Sequence, residues 1–522
     1  MKYLWNTKSG RLLLALGFMI MVCETVDGQQ ITFQKTFGGD SSDYCWEVRQ
    51  TTDGGYIICG TTYSFGAGNA DVYVIKTNSF GDTLWIKTYG GTNDDEGYSV
   101  KQTMDGGYIV VGYTISFGGG SYDVYLIKTD VNGDTLWTKT YGGAASESGY
   151  SVQQNLDRGF IITGRANSNV YLIKTDSLGN ILWTKTYNQG SNGANSVQQT
   201  MDGGYIVCGY ATGGAFLIKT DSIGDTLWFK TYGGTNQDYG WSVQQTTDSG
   251  YIIVGNTSSF GVGFSNLYII KTNINGDTLW SKTYGGTYYE SGYSVQQTTD
   301  GGYIIAGSSE SFSIDSSSKA YLVKTNSTGD LQWSKIYGET GNVIATSVRQ
   351  TIDGGYIIGG YGYFGTGLLN IYLIKTDSLG NSGCNQKNAG TIQTSPATQV
   401  TNVSPVINSD NFTHNTQTIV GNGGIVTTLC TNVGIPEIAD MKNVSIYPNP
   451  NDGNFSLSYH LSSSKNELLI IDVFGRTVYS SVLTSQEGTQ NIVVSTLSSG
   501  IYYWEVVSEG GVEGKGKLAV IK

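Results

Sequence analysis

The chain has 522 residues, too many for one ordinary hydrophobic core, so several domains or one large repeat array are expected. With 74 glycines, 37 tyrosines and 5 prolines it reads as many short strands joined by tight turns, which excludes a disordered chain. A formal net charge of −12 excludes nucleic acid as a partner, since phosphates demand a basic surface, and leaves a cationic ligand or a metal electrostatically open.

In chain order, residues 1–28 read as a secretory signal peptide: Lys2, Lys8 and Arg11 precede the apolar run Leu12–Val22, with cleavage expected near Gly28. Cys23 follows "IMV" where a lipoprotein would carry a small residue, so a standard signal peptide is preferred. No later stretch offers the ~20 apolar residues of a membrane helix. Export permits disulfides. Cys384 and Cys430 bracket a polar segment and are the expected pair. Cys59 and Cys208 occupy one repeat position, where other copies carry Val111 or Val254, and read as buried apolar sites; Cys45 is left unassigned.

Residues 29–383 are periodic. The tetrapeptide "DGGY" and its variants begin at Asp53, Asp105, Asp157, Asp202, Asp248, Asp300 and Asp353, at spacings of 52, 52, 45, 46, 52 and 53. Each unit carries four strand patterns, exemplified by "GYSVQQT", "YIVVGYT", "DVYLIKT" and "TLWTKTY", with glycine turns between them. Four strands in seven units predict a seven-bladed β-propeller. The N-terminal "ITFQKTF" (Ile31–Phe37) is a fourth strand lacking its first three, and the array ends on a third strand, "IYLIKTD", lacking its fourth. Together they complete one blade, so the ring is expected to close with strands from both ends, unlike an open solenoid with capping units. "YSVQQ" suits a polar central channel. The fourth-strand lysines (Lys35, Lys87, Lys139, Lys185, Lys230, Lys282 and Lys335) are expected to guard an exposed outer edge.

Both histidines, His414 and His460, lie outside the repeats, so no Ser-His-Asp or Cys-His arrangement can be built within them. The "D-x-x-G-D" turns, such as Asp130–Asp134, resemble a fragment of a calcium loop but lack its distal glutamate, and are read as hairpin turns. One tryptophan per repeat fits blade packing better than seven sugar platforms. No catalytic, cofactor or metal residue is assigned. The variable loops between second and third strands, together with the blade connections, form the expected ligand face. Its candidates are Asp94, Asp95, Glu96, Glu147, Asp238, Tyr288, Tyr289 and Glu290, with Phe65, Phe117 and Phe260 of "SFG" seating the loops or facing the ligand. A glycan, protein or cationic ligand is expected there. A hydrolase acting on polysaccharide through loop carboxylates is the alternative.

Residues 384–441 read as a Cys-bracketed segment and linker. Residues 442–522 then carry Tyr447-Pro448-Asn449-Pro450 with Gly453 and Phe455, Asp472 with Gly475 and Arg476, Gly500-Ile501-Tyr502, and a terminal run from Lys517 to Lys522. This tail resembles the type A C-terminal sorting domain of the type IX secretion system of Bacteroidota. The resemblance implies a small immunoglobulin-like β-sandwich recognised by the secretion machinery at the outer membrane, and a secreted or surface-attached product. The repeats resemble propellers common among cargo of that system, and more loosely the quinoprotein-like propellers, which implies fold and no activity.

Overall fold

The structure is a computed structural model and describes residues 30–188, 191–364, 368–403, 405–408, 413–416, 418–432, 444–449, 451–461, 466–472, 476–508 and 511–522. The leader 1–28 and the linker at 433–441 lie outside the described residues. Two compact units divide at Gly434/Ile435.

The first unit is a ring of seven antiparallel sheets. Blade 1 is built from Asp43–Gln50, Tyr56–Thr62, Asp71–Thr77 and Thr83–Gly90, and the next five blades repeat the order. Blade 7 combines Val343–Gln350, Tyr356–Tyr363 and Leu369–Thr376 with the N-terminal strand Thr32–Gly38, whose Lys35 pairs with Leu373. Closure by both ends is therefore as the truncated repeats imply. Second and third strands are mostly buried, as their Val/Ile/Leu/Tyr runs require.

The fourth-strand motif is the joint between blades. Trp137 packs beneath Gly179 of the next blade's D-x-x-G-D turn, Tyr141 OH donates to the Gly179 carbonyl at 2.8 Å, and Lys139 Nζ donates to Asn180 Oδ1 at 3.2 Å. The pattern recurs in the other blades. Lys87–Asp134, Lys185–Asp225, Lys230–Asp277 and Lys282–Asp330 pair at 2.6–3.2 Å, and Lys35–Asp82 closes the circle at 2.6 Å. Inside each turn Asp130 Oδ1 accepts from the N–H groups of Asn132 and Asp134, both at 2.8 Å, and Gly133 takes φ +79°. The turn aspartate is thus used by its own backbone. A second set of lysines, on the third strands, reaches the "DGGY" aspartates within each blade, from Lys76–Asp53 at 2.8 Å to Lys375–Asp353 at 2.8 Å.

A further feature corrects the expected edge. The described residues between 386 and 432 are neither a separate segment nor a linker: they follow the circumference once and add a fifth strand to every blade. Gln386–Asn388 joins blade 6, Ile392–Thr394 blade 5, Gln399–Asn402 blade 4 and Val406–Asn408 blade 3. Thr413–Asn415 then joins blade 2, Ile419–Gly421 blade 1 and Ile425–Asn432 blade 7. The fourth strand is consequently interior. Its lysines serve the joint between blades and not an exposed edge. Cys384 and Cys430 are disulfide-bonded across 46 residues, so this belt is a covalent hoop. Gln34 of the first strand sits opposite Cys430 and donates from Nε2 to the Cys384 carbonyl at 2.5 Å.

The second unit is a β-sandwich of a three-stranded and a four-stranded sheet, whose core includes Phe455, Leu457, Leu468, Trp504 and Leu518.

Candidate functional site

The inner strands line the channel with two adjacent side chains, which regular alternation would not allow. In all seven blades the register shifts at the same place, between Cys45 and Glu47 in blade 1 and between Gly97 and Ser99 in blade 2. Such a bulge re-aims a side chain. Here it turns Trp46, Tyr98, Tyr150, Asn195, Trp241, Tyr293 and Thr346 toward the axis beside the Glu47/Ser99 position. The residue before each bulge must be small: a Cβ on Gly149 would lie 2.6 Å from Val111. Cys45 fills that place in blade 1, and Cys45, Cys59 and Cys208 are buried free thiols.

The result is a cavity of about 310 Å³ on the axis. Its outer layer is aromatic. Trp46 lies 5.5 Å from Tyr98 and Tyr98 lies 5.2 Å from Tyr150, while Trp241 lies 5.9 Å from Tyr293. Tyr44 and Tyr239 stack on Trp46 and Trp241. The rings stay half-buried and line the lumen.

The deeper layer breaks the seven-fold pattern. Where blades 3 to 6 carry Gln153, Gln198, Gln244 and Gln296, blades 7, 1 and 2 carry Arg349, Arg49 and Lys101, and Glu47 replaces the serine. Glu47 Oε1 accepts from Arg49 Nε at 2.7 Å and Lys101 Nζ at 2.7 Å, with Arg349 Nη2 at 3.4 Å. Oε2 accepts from Ser99 Oγ at 2.7 Å and Val100 N–H at 3.0 Å. Burial alone would raise the Glu47 carboxyl, but the charges of Arg49, Lys101 and Arg349 outweigh it and hold it well below the usual carboxylate range. Burial and the neighbouring Arg49 push Lys101 down to about 7 despite Glu47. The same causes lower Arg349 to about 9.

The predicted ligand face divides in two. Asp95, Glu147, Asp238 and Glu290 are buried, so as ligand groups they are corrected: each accepts from an N–H of the blade connection, and Asp95, Asp238 and Glu290 also hold the neighbouring loop. Asp95 Oδ2 accepts from Gly91 N–H and Ser116 Oγ, both at 2.7 Å, and Glu290 Oε2 accepts from Gly286 N–H at 2.9 Å. A short polar chain at a β-strand start satisfies loop N–H groups, and that is what these acids do. Asp94 and Glu96 are half-buried, Glu96 accepting from Tyr98 OH at 2.7 Å beside the aromatic layer. Tyr288 and Tyr289 are exposed, and Tyr289 stacks on Phe264 with centroids 5.3 Å apart. The "SFG" phenylalanines seat their loops: Phe65, Phe117 and Phe260 pack on Tyr73, Tyr125 and Tyr268 at 5.8–6.0 Å. Sequence reasoning missed the channel cluster, although "WEVRQ", "YSVKQ" and "TSVRQ" against the common "SVQQ" were its visible signal.

In the tail, Asn449 Oδ1 accepts from Ala519 N–H at 2.8 Å and Asn451 N–H donates to the Ala519 carbonyl at 2.9 Å, fastening the "YPNP" segment to the terminal strand that holds Lys517. Tyr447 is exposed, while Phe455 and Tyr502 are buried, and Gly500 and Ile501 open the strand Gly500–Ser508. Gly453, at φ +98°, donates its N–H to Asn451 Oδ1 at 2.8 Å. Asp472 holds Arg476 at 2.7 Å, and Lys522 Nζ donates to the Ser495 carbonyl at 2.6 Å. Pro450 and Gly475 lie outside the described residues, and Pro448 precedes that gap.

Comparison with known proteins bears mainly on this tail. The family described as the secretion system C-terminal sorting domain matches residues 445–521. A curated relative, the regulatory protein FlaEY of Caulobacter vibrioides, is 25% identical over 160 residues, covering 28% of this chain. The chain spans 16% of that relative's length. Among solved structures, the extracellular domain of a one-component system from B. thetaiotaomicron is 10% identical at a TM-score of 0.42, covering 95% of this chain and 59% of that one. PorZ, an essential surface component of the type IX secretion system of Porphyromonas gingivalis, is 11% identical at a TM-score of 0.38, covering 93% of this chain and 75% of that one. Residues 445–521 are thus a secretion system C-terminal sorting domain, the mark of a type IX secretion cargo.

Proposed function

We propose that the propeller is a non-catalytic extracellular binding module that receives its ligand at the aromatic mouth of the central channel. The observation that carries this reading is the bulge repeated in all seven inner strands. It turns an aromatic ring into the lumen in five blades, at Trp46, Tyr98, Tyr150, Trp241 and Tyr293. A concave site with converging ring faces and a few fixed polar groups is what small-ligand recognition uses. The aromatic layer lies toward the blade connections, on the face predicted to bind, where Tyr288, Tyr289 and Phe264 are exposed. Hydrolysis of a glycosidic bond needs two flanking carboxyls. Among the described residues lining the channel Glu47 is the one carboxylate, and it is held by three cations.

The test is binding of the full-length mature protein to a glycan array, beside a Trp46→Ala/Trp241→Ala variant. With each stacked ring contributing about 1 kcal/mol, the double change is expected to weaken any bound glycan at least tenfold. Unchanged binding in that variant would move the site off the channel.

A further inference from the structure

Apart from the serine hydroxyls, which can donate or accept, the deeper channel layer offers the lumen mainly donors. Gln153, Gln198, Gln244 and Gln296 each turn Oε1 to a main-chain N–H of the next blade, at 2.8, 2.6, 2.7 and 2.7 Å. The carboxamide –NH2 is then the group each can offer the lumen. The other three members of the ring are Arg49, Lys101 and Arg349. The lining carboxylate, Glu47, is saturated by three cations, a hydroxyl and a main-chain N–H. With Lys101 protonated, three positive charges against one negative leave two in excess, in a chain whose net charge is −12. Like charges held this close in a partly enclosed site repel unless an anion joins them. The aromatic layer lies three residues up the same strands, ~10 Å at ~3.3 Å per residue, which is the reach of one or two sugar rings.

We propose that the channel binds an acidic saccharide, its carboxylate or sulfate oxyanion held by Arg49, Lys101 and Arg349 and its sugar ring lying against Trp46 and Tyr98. This rests on the channel being the binding site and adds the chemical class of the ligand. Arginine forks match planar oxyanions in two-point contact, and charge-assisted bonds of this kind are the strong ones.

The experiment is calorimetric titration of the full-length mature protein with four probes: an oligouronate tetramer, a neutral tetrasaccharide, a sulfated tetrasaccharide and inorganic sulfate. The informative variant is Glu47→Ser/Arg49→Gln/Lys101→Gln/Arg349→Gln, which gives blades 7, 1 and 2 the residues other blades already carry, so the fold has its own precedent for them. Arg349→Gln alone serves if the fourfold change lowers the melting temperature. We expect at least one acidic tetrasaccharide to bind tenfold or more tighter than the neutral one. The fourfold variant should lose that preference, and Trp46→Ala should weaken every saccharide. Affinity for the acidic probe should fall as pH rises from 6 to 8.5, because Lys101, facing Glu47, Arg49 and Arg349, gives up its proton near 7. Lys101→Arg should keep the affinity and lose that slope. Equal binding of acidic and neutral probes, both lost in Trp46→Ala/Trp241→Ala, would overturn the oxyanion assignment and leave the binding module standing. Inorganic sulfate binding as tightly as the saccharides would overturn the saccharide assignment. No binding of any probe, with array hits insensitive to the tryptophans, would overturn both.

Discussion

Gly179 shows at the scale of one residue why the repeat tolerates so little change. It sits at φ +75°, and a Cβ there would lie 2.9 Å from the Trp137 ring of the neighbouring blade. Gly106, in the first-to-second turn, has a similar φ of +85° with nothing within 4 Å. Backbone strain is common to both, and the close approach belongs to Gly179 alone. Gly179→Ala is expected to cost about 1–3 kcal/mol and Gly106→Ala about 1 kcal/mol. A parallel pair of thermal melts checks the order, and equal losses would contradict the packing described for the joint. Each fourth-strand motif therefore acts through a residue about 40 positions downstream, the separation of Tyr141 and Gly179 being 38.

Among the elements, the belt governs the most. Its first six strands are only three or four residues long and each pairs with one blade, so none would hold by itself. Joining Cys384 to Cys430 closes a loop of 46 residues, for which chain entropy gives about 4 kcal/mol of stabilisation. Cys384→Ser/Cys430→Ser is expected to lower the melting temperature by several degrees, and reducing agent should lower the wild type by the same amount and leave the variant unaffected. No change in either case would mean the belt is held by its strands alone. The blades were legible in the sequence because seven copies average out local ambiguity, and the incomplete copies at Ile31 and Asp377 disclosed how the ring closes. The belt was not legible. It repeats nothing, its exposed residues such as Val400 and Ile425 show no alternation, and it is held largely by main-chain bonds that any sequence can make. The channel cluster was half legible: residues 47, 49, 101 and 349 depart visibly from the common motif, but only the closed ring brings blades 7, 1 and 2 side by side. The loop acids misled because a carboxylate capping loop N–H groups and one awaiting a ligand look alike in a sequence.

At the level of the whole molecule, repetition multiplies small electrostatic effects. Burial raises the "DGGY" carboxyls, but the paired lysine and the adjacent threonine hydroxyl outweigh it. Asp53, Asp105, Asp202, Asp248, Asp300 and Asp353 consequently lie below their ordinary 3.8. Their stabilisation is complete above 3.8 and is lost as pH falls through the depressed folded values. Asp71 works in the opposite sense. Burial, with the nearby Asp95 adding to it against the Gly68 N–H, lifts it to about 6, so its ionised form costs stability at neutral pH and is relieved between 6 and 3.8. The expected melting temperature is level or slightly higher at pH 5 than at pH 7, then falls steeply below about pH 3.8. A monotonic decline from pH 7 would show that the lysine–aspartate pairs do not control acid stability.

The belt also sets an order of events. An array whose units touch only their neighbours can form one unit at a time as the chain emerges. Here Ile419 pairs with Gly90, and Thr32 pairs with Asn432, so every blade waits for a strand made after all the repeats. Contacts this distant close slowly. The ring is finished in a single late winding that runs back through the blades, from the sixth to the first, and ends on the seventh. A chain threaded through a translocon N-terminus first would thus remain a string of unfinished sheets until the belt that follows its last repeat is across, and mature only on the far side.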